Sequence, residues 1–458
     1  MALDIVIMAA GKGTRMKSTL PKVLHRLAGR PLLDHVLDAA ASLSADRTLV
    51  ITGHGAEAVE ASIRGRGAVA VRQEPQLGTG HAIQQVVPQL DAAGTTLILN
   101  GDVPLIPTAT ARALADACGG GRLALLTIVL PDATGYGRIV RSGGEDGPVH
   151  AIVEHKDATA EQRAVREVYT GMMAAPTAHL KRWVMALGND NAQREYYLTD
   201  IVAFAVAEGV PVVATRASDE TEVLGVNSPH QLADLERRLQ RRHADRLMDA
   251  GVRLIDPARF DLRGTLRTGH DVEIDIGCVF EGEVVVGDDV RIGAHCVIRD
   301  CRIDDGAVIH PFCHLEGAHV GSGALIGPFA RLRTGADLGA EVHIGNFVEV
   351  KNSSLAKGAK ANHLAYLGDA QVGERVNYGA GSITANYDGA NKHRTVIEAD
   401  AHIGSNCVLV APVRIGAGGT VGGGSTVTKD TPPGQLTVAR GRQATITGWK
   451  RPVKPPKP

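Results

Sequence analysis

Aromatic residues make up only 3 % of this 458-residue chain, so its interior has to be filled by aliphatic side chains rather than rings. Charge of one sign is missing too: 49 Lys and Arg against 50 Asp and Glu leave a formal net charge of −1. A near-neutral chain lacks the basic footprint that nucleic acid or an anionic membrane attracts, so neither is expected as a partner. The six cysteines, Cys118, Cys278, Cys296, Cys301, Cys313 and Cys407, include no CxxC pair. That spacing excludes a dense disulfide framework and reads as free, buried thiols in a reducing compartment. Long hydrophobic runs are absent as well. Ile5–Ala10 is too short to span a bilayer, and no cationic n-region precedes it, so the expected location is the cytosol. The length excludes one ordinary core and implies two or more domains.

What the chain does have is a beat of six. Ile274, Phe280, Val286, Ile292 and Ile298 keep that spacing; the count slips by one to Ile303, Ile309 and Leu315, and again to Val320. It runs on through Ile326, Leu332, Leu338, Ile344 and Val350, and after an interruption resumes at Ile397, Ile403, Leu409, Ile415, Val421 and Val427. Gly often follows the marker, as at Gly287, Gly293, Gly321, Gly339 and Gly404. One inward aliphatic, a tight turn and small neighbours describe one flat face of a coiled prism, three faces to a rung. The pattern resembles the hexapeptide-repeat, left-handed parallel β-helix of acyltransferases. The handedness comes from the resemblance, since the general rule for parallel crossovers gives the opposite hand.

Before the prism the grammar differs. Asp4–Ala9, Thr48–Ile51, Thr96–Asn100 and Leu123–Leu130 are buried-strand runs, with helical patterns at Pro31–Ala41 and Gly80–Val87 between them. These imply a Rossmann-like parallel α/β sheet whose active residues lie beyond the strand C-termini. A charged, amphipathic helix is expected at about 229–250, carrying Leu232, Leu235, Leu239 and Leu247. The expected domains are therefore 1–228, the linker helix 229–250, and a prism at 251–458 whose Lys- and Pro-rich tail from Lys450 is extended and solvated.

Strand one ends in Ala9-Ala10-Gly11-Lys12-Gly13-Thr14-Arg15-Met16, followed by Pro21-Lys22. Glycines let backbone N–H groups approach a phosphate, and Arg15 and Lys22 add the charge a triphosphate needs. Met16 stands where the dinucleotide fingerprint needs a third Gly, which excludes a Rossmann dehydrogenase, and no GK[ST] phosphate loop occurs. Asn100-Gly101-Asp102 closes another strand, where a carboxylate suits Mg²⁺ beside phosphates. The run A-A-G-x-G-T-R-M with P-K resembles the signature of sugar-nucleotide pyrophosphorylases. The resemblance implies that Ala9, Ala10, Gly11, Lys12, Gly13, Lys22, Asn100 and Gly101 contact UTP or the UDP-sugar. It implies further that Asp102 and Asn227 hold Mg²⁺. Gln73 with Gly78 and Thr79 would read uracil, and Gly137 and Glu154 would face the acceptor sugar.

Within the interruption from about Lys351 to Val396 stand Asn362-His363-Leu364-Ala365-Tyr366, Asn377-Tyr378-Gly379-Ala380 and a loop carrying Asn386-Tyr387. Acyl transfer from a thioester to an amine needs a base, for which His363 is the candidate, and Arg333, Lys351 and Tyr366 can hold a sugar phosphate. Taken over all 458 residues, the constellation resembles the bifunctional N-acetylglucosamine-1-phosphate uridylyltransferase / glucosamine-1-phosphate acetyltransferase family. Membership implies acetyl-CoA, glucosamine 1-phosphate, UTP and N-acetylglucosamine 1-phosphate as substrates, and a homotrimer with the acetyl site between subunits. It assigns His363 as base, with Arg15 and Lys22 catalytic in the uridylyl reaction. Arg333, Lys351, Tyr366 and Asn377 would face the amino sugar phosphate. Ala380, Asn386, Tyr387, Ser405, Gly423 and Arg440 would line the acetyl-CoA groove. Three positions depart from the family: Tyr169 replaces a common sugar-contacting Asn, Gly423 a common Ala and Thr334 a common Pro. The competing reading is a single-activity nucleotidyltransferase with a structural or regulatory β-helix. His310 and His314 have a metal-like spacing but are expected to point outward at corners.

Overall fold

The computed structural model describes residues 2–144 and 147–454, so the last four residues of the expected tail, 455–458, lie outside the described residues. The chain divides into two compact units between Leu239 and Gln240. In the first unit nine strands form one sheet: β1 (Ala2–Met8), β2 (Arg47–Thr52), β3 (Val69–Arg72), β4 (Gly94–Asn100), β5 (Leu123–Val129), β6 (Gly137–Arg141), β7 (Val149–Val153), β8 (Glu167–Pro176) and β9 (Val212–Arg216). Their order is β9-β5-β8-β4-β1-β2-β3, with β6 on β8 and β7 on β6. Period-two alternation splits each central strand between two cores. Ile5 and Ile7 join the cluster that includes Leu33 and Leu114 of the helices Leu32–Ala41 and Thr108–Cys118. Val6 joins Ile83 and Leu180 of Thr79–Val86 and Thr177–Met185. Burial on both faces is why these strands read as unbroken aliphatic runs.

The sheet is parallel through β4-β1-β2-β3, but β8 runs antiparallel to both β4 and β5. Two register relations position the first site. Met8 pairs with Asn100, so the chain leaves β1 and β4 at the same edge of the sheet. Tyr169 pairs with Gly137, which brings together the segments expected to face the acceptor sugar.

The helix Pro229–Asp249 follows; its Leu235 and Leu239 belong to the first unit's cluster with Met16, Leu27 and Leu32. Its Ala244 and Leu247 belong to the cluster of the second unit, and the buried Gln240 exchanges two hydrogen bonds with the backbone of Leu262 at 3.0 and 2.7 Å.

In the second unit every hexad marker from Ile274 to Val427 is at most 2 % exposed. The strands stack in parallel ladders, one of which climbs Ile274, Ile292, Ile309, Ile326, Ile344, Ala361, Tyr378, Ile403 and Val421. The interruption expected from Lys351 to Val396 is a correction. Leu355, Ala361, Leu367, Val372, Tyr378 and Thr384 carry the coil straight through it, all at most 3 % exposed. Only the segment between Ala385 and Thr395 leaves the coil. The beat is hidden there because Ala, Tyr and Thr fill inward positions that elsewhere hold branched aliphatics.

At each corner of the prism the backbone turns through the left-handed region. One corner does so with Asp289, Gly306, Gly323, Glu341, Gly358, Arg375 and Asp400, another with Asp300, Gly317, Gly335, Asn352 and Asp369. Asp, Asn and Gly are the usual residues for that conformation. The third corner carries His295, Phe312, Phe329, Phe347, Leu364, Gly381, Asn406 and Gly424. All six cysteines are free and buried. Among the described residues no helix is long and apolar enough to cross a membrane.

Candidate functional sites

Where β1 and β4 end, a pocket of about 760 Å³ opens. Ala10, Gly11, Lys12, Gly13, Arg15, Lys22, Gln73, Gly78, Thr79, Asn100, Asp102 and Asn227 all line it. Gly13 has φ +59°, and a Cβ there would stand 2.8 Å from the Lys22 Cβ, so this turn needs glycine to bring the loop against Lys22. Ala9 and Gly101 sit behind the lining: both are buried, and the Gly101 N–H donates to Met8 O at 3.0 Å. The Lys22 ammonium donates to Asp102 and, at 3.1 Å, to Asn227 Oδ1. Asp102 and Asn227 therefore aim their oxygens at one cation position. Two hard oxygens suit Mg²⁺, which keeps its other positions for water and phosphate; among the described residues no cluster of three His, Cys, Asp or Glu suits a metal.

Gly137, Glu154 and Tyr169 form a neighbouring nest. A Cβ on Gly137 would lie 3.7 Å from the Glu154 carboxylate oxygens. Burial pushes the Glu154 carboxyl above its usual pKa, against a hydrogen bond from Thr199 at 3.3 Å. Tyr169 is 8 % exposed, and its hydroxyl has no hydrogen-bond partner among the described residues. Burial, then the negative field of Glu154, push this phenol well above its usual range. Sequence reasoning missed Gln76, Lys156, Gln193 and Glu195, which also line the pocket, with Lys156 Nζ donating to Gln193 Oε1 at 2.6 Å.

In the prism the expected residues divide among faces. Asn346 pairs in register with His363, and the rungs above continue through Ala380, Ser405 and Gly423. The Arg440 guanidinium ends this column, donating to Gly423 O at 2.5 Å. His363 is exposed, and its Nδ1 lies 2.9 Å from Asn346 Oδ1. An amide oxygen only accepts, so Nδ1 carries the hydrogen and Nε2 keeps its lone pair outward. Asn346 was missed, although it stands one rung, 17 residues, before His363.

On the next face Arg333 and Lys351 occupy successive rungs, since Leu332 pairs with Val350. Tyr366 leans along its strand so that its hydroxyl covers Gly368, the next position of the same column. Arg333 donates to Glu349 at 2.8 Å. Lys392, from the excursion and missed in the sequence, approaches Lys351 and with Arg333 depresses its pKa. Glu349 neutralises part of this charge, and Lys351 and Lys392, crowded together, keep the group suited to an anion.

Asn377 is not brought to this group: it lies on the first face with His343, Lys360 and His402, in a groove of about 550 Å³. Asn386 is buried, and its amide donates to Asp369, while the exposed Tyr387 donates to Gly389 O at 2.6 Å. The departures Gly423 and Thr334 leave the coil continuous, and His314 points outward. Cys296 and Cys301 stand on different strands' ends, both buried and unpaired.

Fold and sites together define a class: a sugar-phosphate nucleotidyltransferase unit followed by a hexapeptide-repeat transferase prism. Residues 5–136 match the MobA-like NTP transferase domain, and residues 262–359 match the GMPPB C-terminal domain. The chain is 75 % identical over 457 residues to the bifunctional protein GlmU of Methylibium petroleiphilum, covering 99 % of each chain. It is 67 % identical to that of Paracidovorax citrulli, over 100 % of this chain and 99 % of the relative. The chain belongs to the GlmU family, whose left-handed β-helix it carries.

Proposed function

We propose that the two units perform successive reactions of UDP-N-acetylglucosamine synthesis. The prism, within 251–458, acetylates glucosamine 1-phosphate with acetyl-CoA. The α/β unit, 1–228, then joins N-acetylglucosamine 1-phosphate to UTP and releases pyrophosphate, with 229–250 as connecting helix. The observation that carries the reading is the single column Asn346, His363, Ala380, Ser405, Gly423 and Arg440, which a structural coil has no need to assemble.

His363 Nε2 takes a proton from the ammonium of the amino sugar, whose phosphate is held by Arg333, Lys351, Lys392 and Tyr366. The freed amine attacks the thioester carbonyl, and the carbon–sulfur bond breaks to leave the coenzyme thiol. In the first unit the sugar phosphate is already an anion and attacks the α-phosphorus in line, so positioning and charge are what the protein supplies. Arg15 and Lys22 place positive charge on the phosphates, Gln73, Gly78 and Thr79 take the uracil, and Gly137, Glu154 and Tyr169 take the sugar. Asp102 and Asn227 would hold Mg²⁺, which when bound neutralises phosphate charge. Because Asn377 stands on a different face from Arg333 and Lys351, the amino sugar site is completed by a neighbouring copy, and the prism assembles as a homotrimer.

Soluble His363→Ala should lose about 10²–10⁴-fold in thiol release while pyrophosphate release persists. Asp102→Ala should do the reverse. Loss of both activities together in either folded variant would end the two-site reading.

A further inference from the structure

We propose that Asp369 is a positioning residue of the amino sugar phosphate site: it clamps both ends of the excursion, 386–394, and so sets Lys392 against Lys351. The inference rests on the acetyl-transfer reading only for which phosphate the two lysines hold. The clamp itself is an observation of the fold.

The backbone of Asp369 makes the bonds of an ordinary corner. Its N–H donates to Lys351 O at 3.1 Å, one rung below, and its carbonyl accepts the N–H of Thr395, where the chain re-enters the coil, at 3.2 Å. Its side chain adds what the ladder lacks. One carboxylate oxygen accepts from Asn352 Nδ2 at 2.5 Å, and the other from the amide of Asn386, where the chain has just left the coil. A carboxylate only accepts, which fixes how both amides are turned. One residue thus ties the rung of Lys351 to both ends of the excursion. The corner as such does not require this: Asp300, lower on the same corner, is exposed and accepts the Glu283 N–H at 2.9 Å. Asp369 is only 8 % exposed and Asn386 9 %. Burying a carboxylate is costly unless donors meet it, and here one of the two donors belongs to the segment being held.

Beyond the clamp the excursion is closed on itself. Tyr387 and Lys392 form an antiparallel bridge, and the His393 N–H donates to Asn386 O at 2.9 Å. Asp388 accepts the N–H groups of Ala390 and Asn391 at 2.9 and 2.7 Å and faces His393 Nε2 at 2.7 Å. A hairpin so closed moves as a unit, and its root decides where Lys392 stands. Charge alone would not keep it there. Lys392 and then Arg333 depress the Lys351 pKa, and the carboxylate of Asp369 opposes them. The clamp holds two mutually repelling cations in place before a phosphate arrives, so that binding does not have to order them. The sign of the effect separates positioning from charge. A carboxylate beside a phosphate site weakens phosphate binding, so by charge alone the loss of Asp369 would lower KM for glucosamine 1-phosphate. Positioning predicts a rise.

The test is full-length Asp369→Asn, which tolerates the left-handed turn, removes the charge and leaves one carbonyl oxygen for two amide donors. KM for glucosamine 1-phosphate should rise at least about tenfold, the effect of losing one hydrogen bond to a charged group, while uridylyl transfer changes by less than about twofold. In a Lys392→Gln background the Asp369 change should add less than about twofold to KM, because both act through the same contact. Trypsin supplies a readout that needs no activity. It cuts after Lys392 and Arg394, both exposed, and the variant should be cut there at least about tenfold faster than wild type. An unchanged or lowered KM, full additivity with Lys392→Gln, or equal cutting overturns the positioning role. Faster cutting of the variant, with no thiol release from the wild type, would instead overturn the acetyl-transfer reading and leave the clamp standing. Should Asp369→Asn fail to fold, Asn386→Ala opens the clamp from outside the coil, and trypsin resistance equal to wild type in that variant overturns the proposal.

Discussion

Replacing Asn346 by Ala isolates what holds the proposed base. Asn346 Oδ1 lies 2.9 Å from His363 Nδ1 and fixes both the tautomer and the ring plane of an otherwise exposed imidazole. Without it, the ring samples other rotamers and carries its hydrogen on Nε2 part of the time, where it cannot accept a proton. A neutral hydrogen bond contributes about 0.5–1.5 kcal/mol, so kcat for acetyl transfer should fall about two- to tenfold. Loss of the base itself costs about 10²–10⁴-fold. KM for glucosamine 1-phosphate should hold, because Arg333 and Lys351 lie on another face, and uridylyl transfer should be untouched. Thiol release under saturating substrates, measured for wild type, Asn346→Ala, Asn346→Asp and His363→Ala, is the assay. Asn346→Asp keeps the acceptor and should restore most of the rate. In a His363→Ala background the Asn346 change should have no further effect, since the two act as one unit. A full additional loss there, or an unchanged kcat in Asn346→Ala alone, refutes the positioning role.

Tyr169→Phe removes a buried hydroxyl that has no partner among the described residues. Thermal stability should hold or rise while kcat/KM for the sugar phosphate drops about two- to tenfold, and unchanged kinetics would place Tyr169 in the packing alone. His319 bridges Asp304 and Asp337 at 2.8 Å from each ring nitrogen. Burial alone would lower its pKa, but the two carboxylates outweigh burial and raise it. A raised folded pKa gives stability that is full below the unfolded value and lost as pH rises through the folded one. His319→Gln should therefore destabilise by up to about 1 kcal/mol near pH 5.5 and by less near pH 9. An equal loss at both pH values in calorimetry contradicts the assignment.

The sequence by itself determined the architecture, because the coil repeats one demand every six residues and Ile274 to Val350 answer it without ambiguity. It also marked Gly13, Arg15 and Lys22, local in the chain, as candidates for one site, and they line one pocket. Tertiary structure decided what depends on stacking across rungs or strands. Ala361, Tyr378 and Thr384 hide the beat by composition, and only their inward burial shows that the coil runs on. The antiparallel β8, Glu167–Pro176, is buried along nearly its whole length, and burial on both faces erases the direction of a strand. Asn346 reaches His363 across 17 residues of sequence and a single rung, a distance that follows from the length of that turn. Lys392 meets Lys351 only through the excursion, while Asn377 is parted from both by a corner. Residue type follows local burial and charge, but which side chains share a face depends on how many residues each turn of the prism takes.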